Sequence, residues 1–305
     1  MTIQRTGWVL VLISLLIFVG IAIREVRRSQ VPWDETRFSL ALVMTDGRVA
    51  FLSFDPVERQ LLTIPLPAEL AIRSRSAGEY RVGTLYALGS YGGRGGEFVR
   101  QKIQGFMRVP VPGYIVERQG KRSDGDIVKV ARRELWGLVF APQRGVTSLS
   151  RLDAWRLYLA SQSYRVRAID QAELGRSGVV TTQDDGVPTY HPERLNQYVG
   201  TRLFDWGIGQ AHLTIAVVNA SGSDGMGSDI ADFLNKLGLD VVVVRSSTTT
   251  EEASVVYTAP RVEPDPQVRR TITSLLGFTR WEHREMGEYR ADLLLVIGKD
   301  ATNLF

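Results

Sequence analysis

The 305-residue chain is 44% hydrophobic and 23% charged, enough for two modest domains with apolar cores, and this excludes disorder on the large scale. Its 37 basic and 33 acidic residues leave a formal charge of +4, too small and too evenly spread to imply nucleic-acid binding. Cysteine is absent, which excludes disulfides and thiolate chemistry, and His191, His212 and His283 lie too far apart for a metal pair.

Residues 7–23 carry no charge and as a helix would extend roughly 25 Å, a membrane span with interfacial flanks. Trp8 stands at one edge, and Arg24, Arg27 and Arg28 stand at the other. The following REVRRSQ holds no small-x-small cleavage site, so residues 1–28 are expected to be an uncleaved anchor, with a cleaved signal peptide as the competing reading. Arg5 and the terminal amine before the run, against three arginines after it, lean towards a cytoplasmic C-terminal side.

Residues 29–36 read as a linker. Asp46-Gly47 between two β-rich runs predicts a two-residue hairpin, and residues 60–66 a third strand. Val99, Ile103 and Phe106 share a helical face, and residues 113–118 read as a strand. Ser123 before Asp126 is a candidate cap for a helix turning Val128, Ala131, Leu135 and Leu138 inward. Ser150 and Asp153 repeat that arrangement before Leu152, Trp155 and Leu159, and residues 163–169 follow as a strand. Residues 181–193 are turn-rich, and the pattern resets around Gln210.

From His212 the order reads β-α-β-β-α-β, with Gly238 and Gly277 as helix stops and Pro266 in a first helical turn. That order predicts a small ferredoxin-like unit. Ile215, Val217, Val241, Val243, Leu293 and Leu295 are expected on one sheet face under Phe233, Leu237 and Leu275. The loop GSDGMG admits two readings, a phosphate cradle or a tight turn with at most a weak anion site. Its spacing is not G-x-G-x-x-G, and no acidic residue follows LDVVVV to hold a ribose.

LTIAVVNASGSDGMGSDIADFLNKLGLDVVVV, VVYT and ADLLLVIGKD together resemble the LytR C-terminal domain. Asn219, Ser221, Gly222, Gly225, Gly238, Gly298 and Asp300 fit that family's pattern of Asn-x-(Ser/Thr)-Gly after a strand, a Gly-containing loop and a closing Gly-x-Asp. The resemblance implies a bacterial cell-envelope protein with its C-terminal side outside the cytoplasm, against the lean of the charges.

Upstream, VAFLSFDPVERQLLTIPLPAEL, YRVGTLYALGSYGG, the helix over 97–107 and VPGYIVER resemble a degenerate LytR-CpsA-Psr (LCP) domain. Active members of that family transfer a glycopolymer, such as a teichoic acid or capsule, from a polyprenyl-pyrophosphate carrier to peptidoglycan. Arginines grip the pyrophosphate and an aspartate binds Mg²⁺. Ile64 and Pro65 match the family's Ile-Pro-Arg-Asp motif, but Leu66 and Pro67 stand at its Arg and Asp positions, and the early Gly-x-Asp-x-Arg strand has no counterpart. Those departures remove charge-assisted phosphate grips and a hard oxygen ligand. Arg73, Arg75, Arg81 and Arg94 are candidates to refill a site for an anionic lipid or glycopolymer phosphate; solvated loop arginines are the competing reading. Asp184-Asp185 reads as a metal pair or as a solvated loop.

The expectation is therefore an α/β protein of four parts. Residues 1–28 form a transmembrane anchor, 29–36 a linker, 37–210 a degenerate LCP-like α/β domain and 211–305 a LytR C-terminal-like βαββαβ domain. No catalytic residue, metal or cofactor is assigned, with Mg²⁺ implied only by the transferase alternative. A non-catalytic pseudoenzyme role in binding or scaffolding at the cell wall is expected. The alternative is a polyprenyl-pyrophosphate-dependent glycopolymer transferase with a rearranged site. The partners implied are the lipid bilayer and a wall glycan or lipid-linked glycopolymer.

Overall fold

The computed structural model describes residues 20, 23–26, 29, 37–74, 78–118, 125–140, 146–182, 188–200, 202–203, 206–209 and 212–303. Nearly all of residues 7–23 lie outside the described residues, as do Arg75, Ser123 and the Asp184-Asp185 pair. Among the described residues no helix is long and apolar enough to cross a membrane.

The middle region is built on a mixed five-stranded sheet. Strands β1 (Phe38–Val43), β2 (Val49–Asp55) and β3 (Gln60–Leu66) form an antiparallel meander. Beyond a small hairpin of β4 (Ala71–Ser74) and β5 (Gly78–Arg81), β6 (Gly113–Val116) pairs parallel with β1 and β7 (Arg165–Ala168) parallel with β3. The spatial order is β6-β1-β2-β3-β7. Every position of β1 and β2 is buried, which explains why FSLALV and VAFLSFD lack polar alternation: both faces of the sheet are covered.

Helices α1 (Val82–Ser90) and α2 (Gly95–Met107) cover one face, where Leu85, Val99 and Ile103 meet Phe51, Leu62 and Ile64. Helices α3 (Ile127–Phe140) and α4 (Arg151–Ser163) cover the other, where Val130, Leu135 and Leu157 meet Leu40, Leu42 and Leu52. Helix α5 (Gln171–Arg176), the hairpin of β8 (Val180–Thr182) and β9 (Pro188–Tyr190), and α6 (Pro192–Gly200) close the first core through Leu174, Tyr190 and Leu195.

Several local expectations change. The β1–β2 connection has a three-residue loop, not two: Met44 and Arg48 are bonded, N to O at 2.9 Å, and Gly47 at φ +83° supplies the left-handed residue such a loop needs. Asp126 caps α3 itself, its Oδ1 accepting from the N–H groups of Val128 and Lys129. Ser150 and Asp153 form the expected reciprocal cap on α4. Yet Trp155 and Leu159 point outward, and α4 buries Asp153, Ala154, Leu157 and Ser161 instead.

The C-terminal region begins with the short α7 (Trp206–Gly209) and continues through β10 (Thr214–Asn219), α8 (Met226–Lys236), β11 (Asp240–Ser246), β12 (Val255–Thr258), α9 (Pro266–Leu276), β13 (Trp281–His283) and β14 (Leu293–Ile297). The sheet order is β11-β10-β14-β12-β13. This is not the ferredoxin-like arrangement, in which each βαβ unit is split by a strand of the other. Here β10 and β11 are direct parallel neighbours, as are β12 and β13, and β14 enters between the two pairs. The three-residue β13, hidden in the polar segment WEH, completes the second unit. Gly238 (φ +89°) and Gly277 (φ +72°) adopt the left-handed conformation that ends α8 and α9.

One predicted core residue changes face. The β10–β11 register shifts between Ile215 and Ala216, where Val242 is skipped. An extra residue in a period-two element reverses everything after it. Val241 therefore packs with Ile215, Phe233 and Leu237 under the helices, whereas Val243 joins Ala216 and Leu294 on the opposite face.

Candidate functional site

Leu66, the last residue of β3, pairs with Val49 across the sheet and is fully buried; Pro67 is buried beside it. The chain turns immediately: Leu70 N donates to the Pro67 carbonyl at 3.2 Å, and Gly83 N to the Ala68 carbonyl at 2.9 Å. The β1–β2 turn lies over this corner. A Cβ on Gly47 would meet Gly83 Cα at 3.4 Å and Ala68 Cβ at 3.6 Å, so the turn packs at van der Waals distance. From the other side Tyr190 donates its hydroxyl to the Pro65 carbonyl at 3.5 Å. Burial pushes that phenol up to about 12, so it stays protonated and a donor. The corner is thus apolar and covered by hairpin, helix and tyrosine.

The four candidate arginines are spread along the chain that follows. Arg73 lies on β4, in register with Glu79 of β5. Arg81 is exposed at the N-terminal end of α1, its carbonyl accepting from Thr84 Oγ1 at 2.8 Å. Arg94 is exposed in the α1–α2 connection, its N–H donating to the Gly89 carbonyl at 3.0 Å. Arg81 and Arg94 stand on either side of α1, whose nine residues extend about 13 Å, with Tyr91, Gly92 and Gly93 between the helix and Arg94.

Charge instead converges at the open end of β1 and β6. Glu117, directly after β6, is buried; its Oε2 accepts from Thr45 N at 2.8 Å and Thr45 Oγ1 at 3.0 Å, and its Oε1 meets Arg133 Nη2 at 2.5 Å. Arg133 also donates through Nε to Glu134 Oε1 at 3.0 Å, and Arg118 Nε lies 3.6 Å from Glu134 Oε2. A Cβ on Gly137 would come within 2.9 Å of Arg118 Nη2, so the glycine makes room for the guanidinium. Both carboxylates are matched by arginines, and the network ties α3 and β6 to the β1–β2 turn. The sequence carried one signal for it: Glu134 falls on the buried stripe of Val130, Ala131, Leu135 and Leu138. A carboxylate at a core spacing marks a buried ion pair. Among the described residues no group of three or more His, Asp or Glu side chains could hold a metal ion.

In the C-terminal region the motif residues serve the backbone. Asn219 Oδ1 accepts from Ser221 N (3.1 Å) and Ser221 Oγ (2.6 Å), and its Nδ2 donates to the Ser223 carbonyl at 2.8 Å. This closes the loop before α8, where Gly225 at φ +73° is the N-cap. A Cβ on Gly227 would meet Asn219 Cβ and Val244 Cγ1 at 3.2 Å, so the helix start packs closely on the sheet. At the other end, Asp300 accepts from Ser254 N and Oγ, and Gly298 N donates to Ser254 Oγ at 2.9 Å. A Cβ on Gly298 would lie 2.5 Å from the Ala253 carbonyl carbon, which only glycine avoids. These partners account for Asn-x-Ser-Gly and Gly-x-Asp as turn architecture.

Residues 212–300 match the family described as LytR cell envelope-related transcriptional attenuator. No curated protein matches the chain. Among solved structures, Bacillus subtilis TagT is 13% identical, covering 57% of this chain and 93% of that one at a TM-score of 0.38. Bacillus subtilis TagU is 9% identical over 54% of this chain and 95% of that one, also at 0.38. A transcriptional regulator of Enterococcus faecalis is 13% identical over 54% and 85%, at 0.36.

Proposed function

We propose that the chain is a membrane-anchored cell-envelope protein whose middle region binds or scaffolds at the wall and performs no phosphoryl transfer. One observation carries the second half of this reading. Leu66, at the position where the resembled LCP motif has arginine, is fully buried in the first core. A guanidinium cannot be placed there without removing its charge from water, at a cost of several kcal/mol unless it is paired. Arg81 and Arg94 remain exposed cations through which an anionic lipid or glycopolymer phosphate would be met; Arg73, on β4, and Arg75, outside the described residues, complete the proposed set.

The family match over residues 212–300 supports the envelope assignment. The charge-free residues 7–23 supply the anchor, with residues 30–305 outside the cytoplasm. A division into two folding units is supported by separate cores, one pair of clusters running from Phe38 to Leu203 and the other from Ile208 to Ala301, which moves the proposed boundary from 210/211 to between Leu203 and Ile208.

Protease added to intact spheroplasts should digest the C-terminal region; protection that is lost on lysis would place it inside. Purified chain given Mg²⁺, a lipid-linked glycan and peptidoglycan as acceptor should release no polyprenyl phosphate above a buffer blank. Sustained turnover would establish a transferase with a rearranged site.

A further inference from the structure

The outward face of α3 and α4 carries an aromatic surface in which Trp136, Phe140 and Trp155 are exposed and Tyr158 also packs on the core beneath. Phe140 is 65% exposed, Leu159 46%, Trp136 44% and Trp155 40%. They are contiguous: the Trp136 ring lies 4.9 Å from those of Phe140 and Tyr158 and 6.2 Å from that of Trp155, and Trp155 stacks with Tyr158 at 6.4 Å. Isolated exposed apolar side chains are ordinary, but an aromatic patch spanning two helices marks a docking surface.

The chain that precedes the first domain ends at this surface. Residues 23–26 are helical, and Glu25 Oε2 accepts from the N–H of Arg151, the first residue of α4, at 3.0 Å. Ser29 Oγ donates to Asp153 Oδ1 at 2.5 Å. Ile23 closes the charge-free run, and Glu25, whose side chain holds the start of α4, lies two residues or about 3 Å of helical rise beyond it. The two helices run antiparallel: Arg132, early in α3, donates through Nε to the Ser161 carbonyl, late in α4, at 3.1 Å. Phe140, the last residue of α3 and the most exposed of the patch, therefore lies at the same end as Glu25. Leu159 is eight residues along α4 from Arg151, about 12 Å away.

We propose that this aromatic surface rests in the headgroup layer of the bilayer spanned by the N-terminal segment, laying α3 and α4 flat against the membrane. The proposal rests on the anchored reading above. Tryptophan and tyrosine favour that layer because a large apolar ring and a polar N–H or O–H are satisfied together there. Exposed Arg151 and Arg24 stand at the tethered end, where they meet lipid phosphates. A tether docked within a turn of the patch holds it at the lipid surface, so even weak insertion is favoured by effective concentration.

The absence of native cysteine allows a single-site probe. Full-length Phe140→Cys, labelled with an environment-sensitive fluorophore, is reconstituted in vesicles of phosphatidylcholine and phosphatidylglycerol. Leu159→Cys repeats the measurement, and Val242→Cys, exposed on β11, is the control. Lipids brominated near the headgroup should quench labels at 140 and 159 several-fold more than the label at 242. Flotation on the same sample separates the two readings. Protein that floats with its label at 140 quenched no more than at 242 overturns this surface and leaves the anchor standing. Protein that does not float overturns both. A label shielded only at high protein density and unaffected by bromine shows that a second copy covers the patch, which also overturns the proposal.

Discussion

Lys236 donates from Nζ to the main-chain carbonyl of Met107 at 3.0 Å, joining the last residue of α8 to the last residue of α2. The ammonium faces the C-terminal end of a helix, where carbonyl dipoles favour a cation. Arg108 follows Met107 in the left-handed conformation, φ +50°, and reaches back to Asp229 at 3.0 Å and Asp232 at 2.5 Å on α8. The two sheets are therefore latched through one helix end.

The latch predicts a pH dependence. Burial, and then Arg108 close by, push Lys236 down to about 7, with Asp232 opposing. In the unfolded chain the amine keeps its ordinary value of 10.5, so between pH 7 and about 10.5 the unfolded state binds more protons. Stability must then rise with pH through that window, and it is lowest below 7, where the folded state must hold the charge. Urea unfolding should gain more than about 1 kcal/mol between pH 7 and 9.5 relative to Lys236→Met, in which this rise is removed. Parallel pH profiles for the two proteins would show that Lys236 titrates as if solvated.

The buried carboxylates at Glu117 and Glu134 predict an asymmetry. Arg133→Met leaves both with diminished compensation and should cost about 2–3 kcal/mol, discounted for the part of Arg133 that stays in water. Glu117→Gln keeps the shape and can still accept from Thr45, so it should cost about 1 kcal/mol. Chemical denaturation of both variants checks the order; the reverse order would mean that the network is solvated.

In the C-terminal region Leu237→Ala removes a buried side chain and should cost roughly 2–5 kcal/mol. Gly298→Ala forces the backbone at Ala253 to move and should cost about 3 kcal/mol or more. Asp224→Ala, on the exposed loop, should cost about 1 kcal/mol or less. A fragment beginning near residue 204, followed by circular dichroism in urea, should show a cooperative transition. Gradual unfolding of the fragment would mean that the Lys236 latch is needed for folding.

Period and punctuation were legible in the sequence, but adjacency was not. Strands 60–66 and 214–219, the cap at Ser150 and the stops at Gly238 and Gly277 follow from local chemistry that the fold leaves intact. The neighbour of β11 is decided by crossover geometry, so the βαββαβ order suggested a split sheet that does not form. The bulge beside Ile215 leaves no mark in a run of four valines, and it moved Val243 to the other face. Trp155 and Leu159 share the spacing of a core stripe, and nothing local says that α4 turns them outward. At the candidate site, Leu66 and Pro67 could be read as a lost motif, whereas Glu117 meets Arg133, and Arg118 meets Glu134, only through tertiary contact.

The central claim, that the corner at Leu66 and Pro67 is closed core, is tested most directly by restoring the charges of the resembled motif. Leu66→Arg combined with Pro67→Asp should lower unfolding stability by at least about 3 kcal/mol, because both groups enter apolar surroundings. The double variant should also gain no affinity for inorganic pyrophosphate in calorimetric titration with Mg²⁺. Stability close to the unsubstituted chain, together with tighter pyrophosphate binding, would contradict the account and show that this corner opens on a ligand cleft.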